Sequence, residues 1–316
     1  MPITTEKYTP DWHQKWNEFN NRSKNGSFLF DRNYMDYHSD RFQDNSLIAF
    51  NDKDEIIALL PACRKVTTVF SHNGLTYGGW ITSAKTMDAG KMLEVWQSMT
   101  ETLRRDGITR LIYKPIPWIY PTVPSDDDLY AIFRNGGRLK SVLVSTAVNL
   151  EQPVGFNGSS RNRANRAARN GYTVARSYEF EQFWRILEFR LMTRHNARPV
   201  HTLAEITLLA ERFPDNIELW CVYEPDGEIA GGTVIYRTTT VAHAQYTAAT
   251  DHGLHHDSLP LLFQTIIRHY KGNGQHYFDF GTSNEQEGTI LNYGLIEQKQ
   301  QFGGRSVAYC TFEIDI

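Results

Sequence analysis

Two short stretches of this 316-residue chain carry side chains able to move a proton. In VAHAQYTAAT, residues 241–250, strand alternation puts His243, Gln245 and Thr247 on one face and Ala244, Tyr246 and Ala248 on the other. An imidazole such as His243 can act as a base at neutral pH, and the phenol of Tyr246 can protonate a leaving group. Each can equally serve the core by satisfying a backbone group. In HYFDFGTS, residues 276–283, Asp279 lies between Phe278 and Phe280. A carboxylate in that setting faces a pocket at a strand end or is paired inside, because unpaired burial is costly. Asn284 follows directly and can donate to a carbonyl. Lys299 lies three to four residues from Leu295, Ile296 and Phe302, near the apolar side of a helix, where a lysine snorkels or meets an anion.

A third stretch, RNRANRAARNGY from Arg161 to Tyr172, holds four arginines and no acid. On a helix Arg163, Arg166 and Arg169 form one stripe, with Ala164, Ala167 and Ala168 opposite and Asn170 and Gly171 closing it. Three readings stand: a solvated face, a site for a phosphorylated donor or acceptor, or a grip on tRNA. Arginine suits phosphate through its planar fork. No aromatic residue interrupts the arginines to stack on bases. A short positive patch fits a nucleotide-linked sugar better than a long nucleic acid.

The whole chain argues against other classes. Its net charge of −3 gives no general attraction to DNA or to membranes. Cys63, Cys221 and Cys310 form no C-x-x-C pair and are expected as reduced thiols. His252, His255 and His256 lie near Asp251 and Asp257 but lack the H-E-x-x-H order, so no metal is expected. The N-terminal stretch has no apolar signal-peptide core, and no run reaches the ~20 apolar residues of a membrane span. A cytoplasmic protein is expected. Neither G-x-G-x-x-G after a strand nor G-x-x-x-x-G-K-[ST] is present.

The elements that must position these residues occur twice. DEIIALLPACRKVTTVF from Asp54 and GEIAGGTVIYRTTTVAHAQYTAAT from Gly227 each read as strand, turn, strand. Helical periodicity follows in AGKMLEVWQSMTETLRRDG and in DSLPLLFQTIIRHYKGNG, where Ser258 is the expected N-cap and Pro260 falls in the first turn. Strands ITRLIYKPIP and QHYFDFGTS come next, then a short helix and Gly136, Gly137, Arg138 or Gly303, Gly304, Arg305. This predicts a mixed α/β (α+β) fold of two tandem domains, 1–152 and 153–316, each a mostly antiparallel sheet flanked by helices. Residues 160–198 form a basic helical segment in the second. GLTYGGW, residues 74–80, reads as a groove lining or as a turn with a packed tryptophan.

This element order resembles the GNAT acyltransferase fold. Two copies with a basic helix between them look like the FemAB-type aminoacyltransferases and related N-acyltransferases. The matching stretches are RNRANRAARNG (161–171), FDFGTS (278–283) and GLIEQKQQFGG (294–304). The resemblance implies transfer of an acyl or aminoacyl group to an amine, with the acyl group lying where strands 241–250 and 276–283 splay apart. It implies Asp279, Tyr246 and His243 as catalytic residues and Arg166, Arg169, Asn284 and Lys299 as substrate-binding residues. The acceptor would be a small-molecule amine such as an amino sugar of a polysaccharide or peptidoglycan precursor. Acyl-CoA is one donor, held through His256 and Ser258; an acyl carrier protein or an aminoacyl-tRNA is the alternative. CoA-dependent relatives carry a [QR]-x-x-G-x-[GA] loop whose N–H groups hold pyrophosphate. Here that stretch is DHGLHHDS, residues 251–258, with one glycine and an acid at its start. The first half has no such loop and reads as a degenerate copy. A catalytically inactive GNAT-fold binder of a phosphorylated or nucleotide-linked ligand is the other reading.

Overall fold

The computed structural model describes residues 3–316, the side chain of His195 excepted. The chain forms two compact units. The first comprises residues up to Leu143 with Glu287–Thr289 and Ala308–Ile316; the second comprises Val144–Gln286 and Ile290–Val307. Both follow the repeated order. Helix Ala89–Arg105, strand Arg110–Tyr113, helix Asp127–Arg134 and strand Arg138–Asn149 are matched later by helix Ser258–Gly272, strand Tyr277–Thr282, helix Tyr293–Gln301 and strand Arg305–Asp315.

In the first unit, antiparallel strands Thr4–Lys7, Leu47–Phe50, Ile56–Leu60 and Ile81–Thr82 form one sheet. Helix Ala89–Arg105, capped by Asp88 onto the Lys91 N–H, buries Met92, Val95, Trp96 and Met99. The run 54–70 is not one hairpin, as its sequence suggests. Pro61 has no N–H to give a ladder. The chain therefore leaves the first sheet there, and Cys63–Lys65 pairs with Thr68–Phe70 as a separate hairpin. GLTYGGW is a turn around a packed Trp80, whose backbone N–H donates to Tyr113 Oη at 2.7 Å.

In the second unit the strands run in the order Thr173–Ser177, Ile217–Tyr223, Ile229–Arg237, Val241–Ala249, Tyr277–Thr282, then residues 145–149. All neighbours are antiparallel except Val241–Ala249 and Tyr277–Thr282, which are parallel. Helix Ser258–Gly272 covers one face, packing Leu262, Phe263, Ile266 and Tyr270 with Ala242, Ala244, Phe278 and Phe280. The arginine helix Gly158–Arg169, capped by Asn157 onto the Ser160 N–H, lies beside it and buries Ala164 and Ala167. Ala168, expected on that inner side, is exposed. The other sheet face is met by helix Phe180–His195, whose Trp184 ring lies 5.2 Å from Tyr246. A Thr202–Glu205 capping box opens the next helix, Leu203–Arg212. Cys221 is buried, which pushes its thiol up to about 12 and leaves it inert as a nucleophile.

Candidate active site

The parallel pairing in the second unit covers only Val241 with Tyr277, Ala242 with Phe278 and His243 with Asp279. Beyond that point the two strands part. Gly281 has a φ of +76°, and the pairing of this strand with residues 145–149 shifts register between Asp279 and Thr282. His243 and Asp279 thus sit at the fork, on the last paired rung, where the backbone opens a notch in the sheet.

Asp279 is 0% exposed. Its Oδ1 accepts from Ser145 Oγ at 2.5 Å and from the Gly281 N–H at 3.0 Å, and its Oδ2 lies 2.9 Å from His243 Nδ1. Three donors thus converge on one carboxylate. With His243 Nδ1–H donating to Asp279, the imidazole keeps its basic lone pair on Nε2. The absence of a Cβ at Gly281 lets this ring approach, since a Cβ there would stand 3.3 Å from His243 Cε1. Gly281→Ala therefore combines left-handed strain with pressure on the ring. It should cost about 1–2 kcal/mol in unfolding free energy and lower kcat more than KM. Denaturation and steady-state kinetics on one preparation check both.

Lys299 is 7% exposed. Its Nζ donates to Gly281 O and Thr282 O, each at 2.8 Å, and to Ser283 Oγ at 2.9 Å. The residue anticipated as an anion ligand thus fastens the bend that follows Asp279. Burial pushes its pKa down to about 8, against the pull of the Asp279 carboxylate. The unfolded chain keeps the ordinary lysine value, so it holds the extra proton between about 8 and that value. Stability therefore rises with pH across this window, by on the order of 3 kcal/mol; below about 8 the full cost of the buried charge is present. Lys299→Met should lack this rise. Urea midpoints of the two proteins at pH 7.5 and 10 check it, and parallel curves would refute it.

Tyr246 stands on the same sheet face as His243, contrary to strict alternation. Val234 pairs with Tyr246 and Ile235 with Ala244, so Gln245 is the extra residue of a β-bulge. Cross-strand partners share a face, and Tyr236, which pairs with His243, shares its face with Val234. The bulge turns Tyr246 toward the His243 side. Its Oη lies 2.6 Å from Nδ1 of buried His201, and burial raises its pKa and keeps the phenol protonated. His201 is a participant that sequence reasoning missed; only its place just before the Thr202 cap marked it.

The remaining nominated residues have other partners. Asn284 Oδ1 accepts the Val144 N–H at 2.6 Å, holding two backbone segments of the unit together. Arg169 is exposed at the end of the arginine helix. Arg166 donates through Nε to Asp257 Oδ2 at 2.9 Å, and also through Nη2. Arg163 Nε donates to Asp257 Oδ1 at 2.8 Å. Asp257, not Ser258, is the N-cap of helix Ser258–Gly272, in the left-handed conformation at φ +62°, and its carboxylate makes no cap hydrogen bond because the two arginines hold it. Ser258 is fully buried, and its hydroxyl has no partner among the described residues. His256 stacks on Tyr172 at 5.8 Å and faces His252 at 4.3 Å.

These residues do not fit the diphosphate of CoA. The N-cap of the helix that would receive it is a carboxylate, Arg163 and Arg166 already direct N–H groups to that carboxylate, and the Ser258 hydroxyl is sealed from solvent. Among the described residues, no group of three or more His, Cys, Asp and Glu side chains is arranged to hold a metal ion. No helix among them is long and apolar enough to cross a membrane.

Residues 157–288 match the family described as an acetyltransferase (GNAT) domain. Among solved structures, FemX is similar at a TM-score of 0.71 and 11% identity, over 99% of this chain and 97% of that one. The C-terminal domain of a putative lysylphosphatidylglycerol synthetase from Agrobacterium fabrum is similar at 0.60 and 15% identity, over 96% and 92%. A tandem GNAT protein from the clavulanic acid biosynthesis pathway is similar at 0.51 and 10% identity, over 99% and 98%. No curated protein sequence matches significantly. Identities this low speak for fold alone, while the domain match covers the strands and helices that build the His243–Asp279 fork. Residues 157–288 thus carry a GNAT-type acetyltransferase domain, and the fold of the chain is similar to that of FemX.

Proposed function

We propose that the second unit acylates a primary amine at the fork between strands Val241–Ala249 and Tyr277–Thr282. The observation that carries this reading is the Asp279–His243 pair on the last rung before the strands part. His243 Nε2 takes a proton from the attacking amine, and Asp279 fixes the tautomer and stabilises the imidazolium that results. Tyr246, a neutral phenol on the same face and bonded to His201, returns a proton to the leaving group. Ser145, the Gly281 N–H and Lys299 keep the carboxylate and the bend in place.

The amine we favour belongs to an amino sugar in a cell-surface polysaccharide or peptidoglycan precursor, acylated in the cytoplasm. The names FemX and lysylphosphatidylglycerol synthetase support an aminoacyl or acyl group as the portion moved. The test is a product assay with three labelled donors, an acyl-CoA, an acyl carrier protein thioester and an aminoacyl-tRNA, each against amino-sugar and peptide amines. An amide product stable to hydroxylamine, absent with His243→Ala, is the expected result. Equal product formation by wild type and His243→Ala would overturn the assignment.

A further inference from the structure

The contact between the arginine helix and the N-terminus of helix Ser258–Gly272 has the chemistry of a phosphate site with the phosphate replaced. A helix start attracts anions because its first N–H groups lack internal partners and its dipole is positive there. Guanidinium forks are the side chains best matched to phosphate oxygens. Both components are present, but the arginines already hold an anion that belongs to the protein, at the N-cap of the helix. Each Asp257 oxygen receives a different arginine, Oδ1 from Arg163 and Oδ2 from Arg166. The Asp257 side chain is 6% exposed, whereas those of Arg163 and Arg166 are 40% and 59% exposed. The arginines thus reach in from solvent to a carboxylate that cannot leave.

We infer that Asp257 is a built-in anion that closes this helix N-terminus to a diphosphate, so the acyl donor is not anchored there. Two features support a lock over an incidental surface pair. Asp257 adopts a left-handed conformation where helix Asp251–His255 ends and helix Ser258–Gly272 begins, and from that junction its carboxylate meets both arginines. Breaking the contact would leave a buried carboxylate uncompensated, a far larger loss than that of an exposed ion pair. The carboxylate's pKa is lowered even though burial alone would raise it, because Arg163 and Arg166 outweigh the burial. A diphosphate arriving at this point would have to displace a tethered competitor and lie beside its charge.

The lock makes a gain-of-function forecast. Wild-type protein should show no calorimetric binding of inorganic pyrophosphate up to millimolar concentration. Asp257→Gly relieves the left-handed backbone, removes the competitor and frees both arginines. It should bind pyrophosphate at least about tenfold more tightly than wild type, and Arg163→Ala with Arg166→Ala in the same background should abolish the gain. CoA is titrated into wild type in parallel. CoA binding that pyrophosphate does not displace agrees with the inference, since the diphosphate is then not the anchor. Micromolar CoA binding that pyrophosphate displaces overturns it, and so does a folded Asp257→Gly protein with no gain. If that variant fails to fold, the wild-type titrations still decide. The readout is binding, so a failure here leaves the proposed chemistry at His243 untouched, and a failure of that chemistry leaves this result standing.

Discussion

His243→Ala should lower kcat by about 10²–10⁴-fold with a smaller change in KM. The size of the effect follows from what the imidazole does. An amine attacking a carbonyl must shed a proton as the new bond forms, and in the proposed mechanism His243 Nε2 receives it. Alanine leaves the notch open and the strands paired up to position 243, so bound substrate loses little. The variant also withdraws one of three donors from the Asp279 carboxylate, at about 1.5–3 kcal/mol for a hydrogen bond to a charged group. A folded protein with a lower unfolding midpoint and almost no turnover is therefore expected. Retention of more than a tenth of the wild-type kcat would remove His243 from the mechanism.

Asp279→Asn produces the second large effect, and it is visible in two measurements at once. The amide presents an N–H₂ where the carboxylate accepted from Ser145, Gly281 and His243. At least one of those three donors loses its acceptor, and the imidazole is drawn toward the wrong tautomer, with its proton on Nε2. We expect kcat to fall by about 10²-fold or more and stability to fall by about 2–4 kcal/mol. Because the two side chains act as a unit, the double variant His243→Ala/Asp279→Asn should lose little more activity than the worse single one. A kinetic double-mutant cycle measures this. Fully multiplicative losses would mean that Asp279 supports the sheet without acting through His243.

The sequence alone determined a good deal of this protein. The order of strands and helices in both halves came from hydrophobic periodicity and turn residues, because these are local properties of the chain. Alternation and apolar neighbours, with the family resemblance, nominated His243, Tyr246 and Asp279 one by one; that His243 and Asp279 meet was not legible there. Tertiary structure decided the rest, in each instance through an event that periodicity cannot express. One inserted residue, Gln245, moved Tyr246 to the His243 face and gave it His201 as a partner. Proline at 61 divided an apparent hairpin between two sheets. Lys299 turned inward because two carbonyls and a hydroxyl freed by the Gly281 bend needed a donor, and a bend of that kind is set by φ and by neighbouring strands. The arginine stripe, conspicuous in one dimension as a site awaiting an anion, found it 91 residues away in Asp257. Composition fixes how many charges a segment carries; only the folded chain decides which of them are already answered from within.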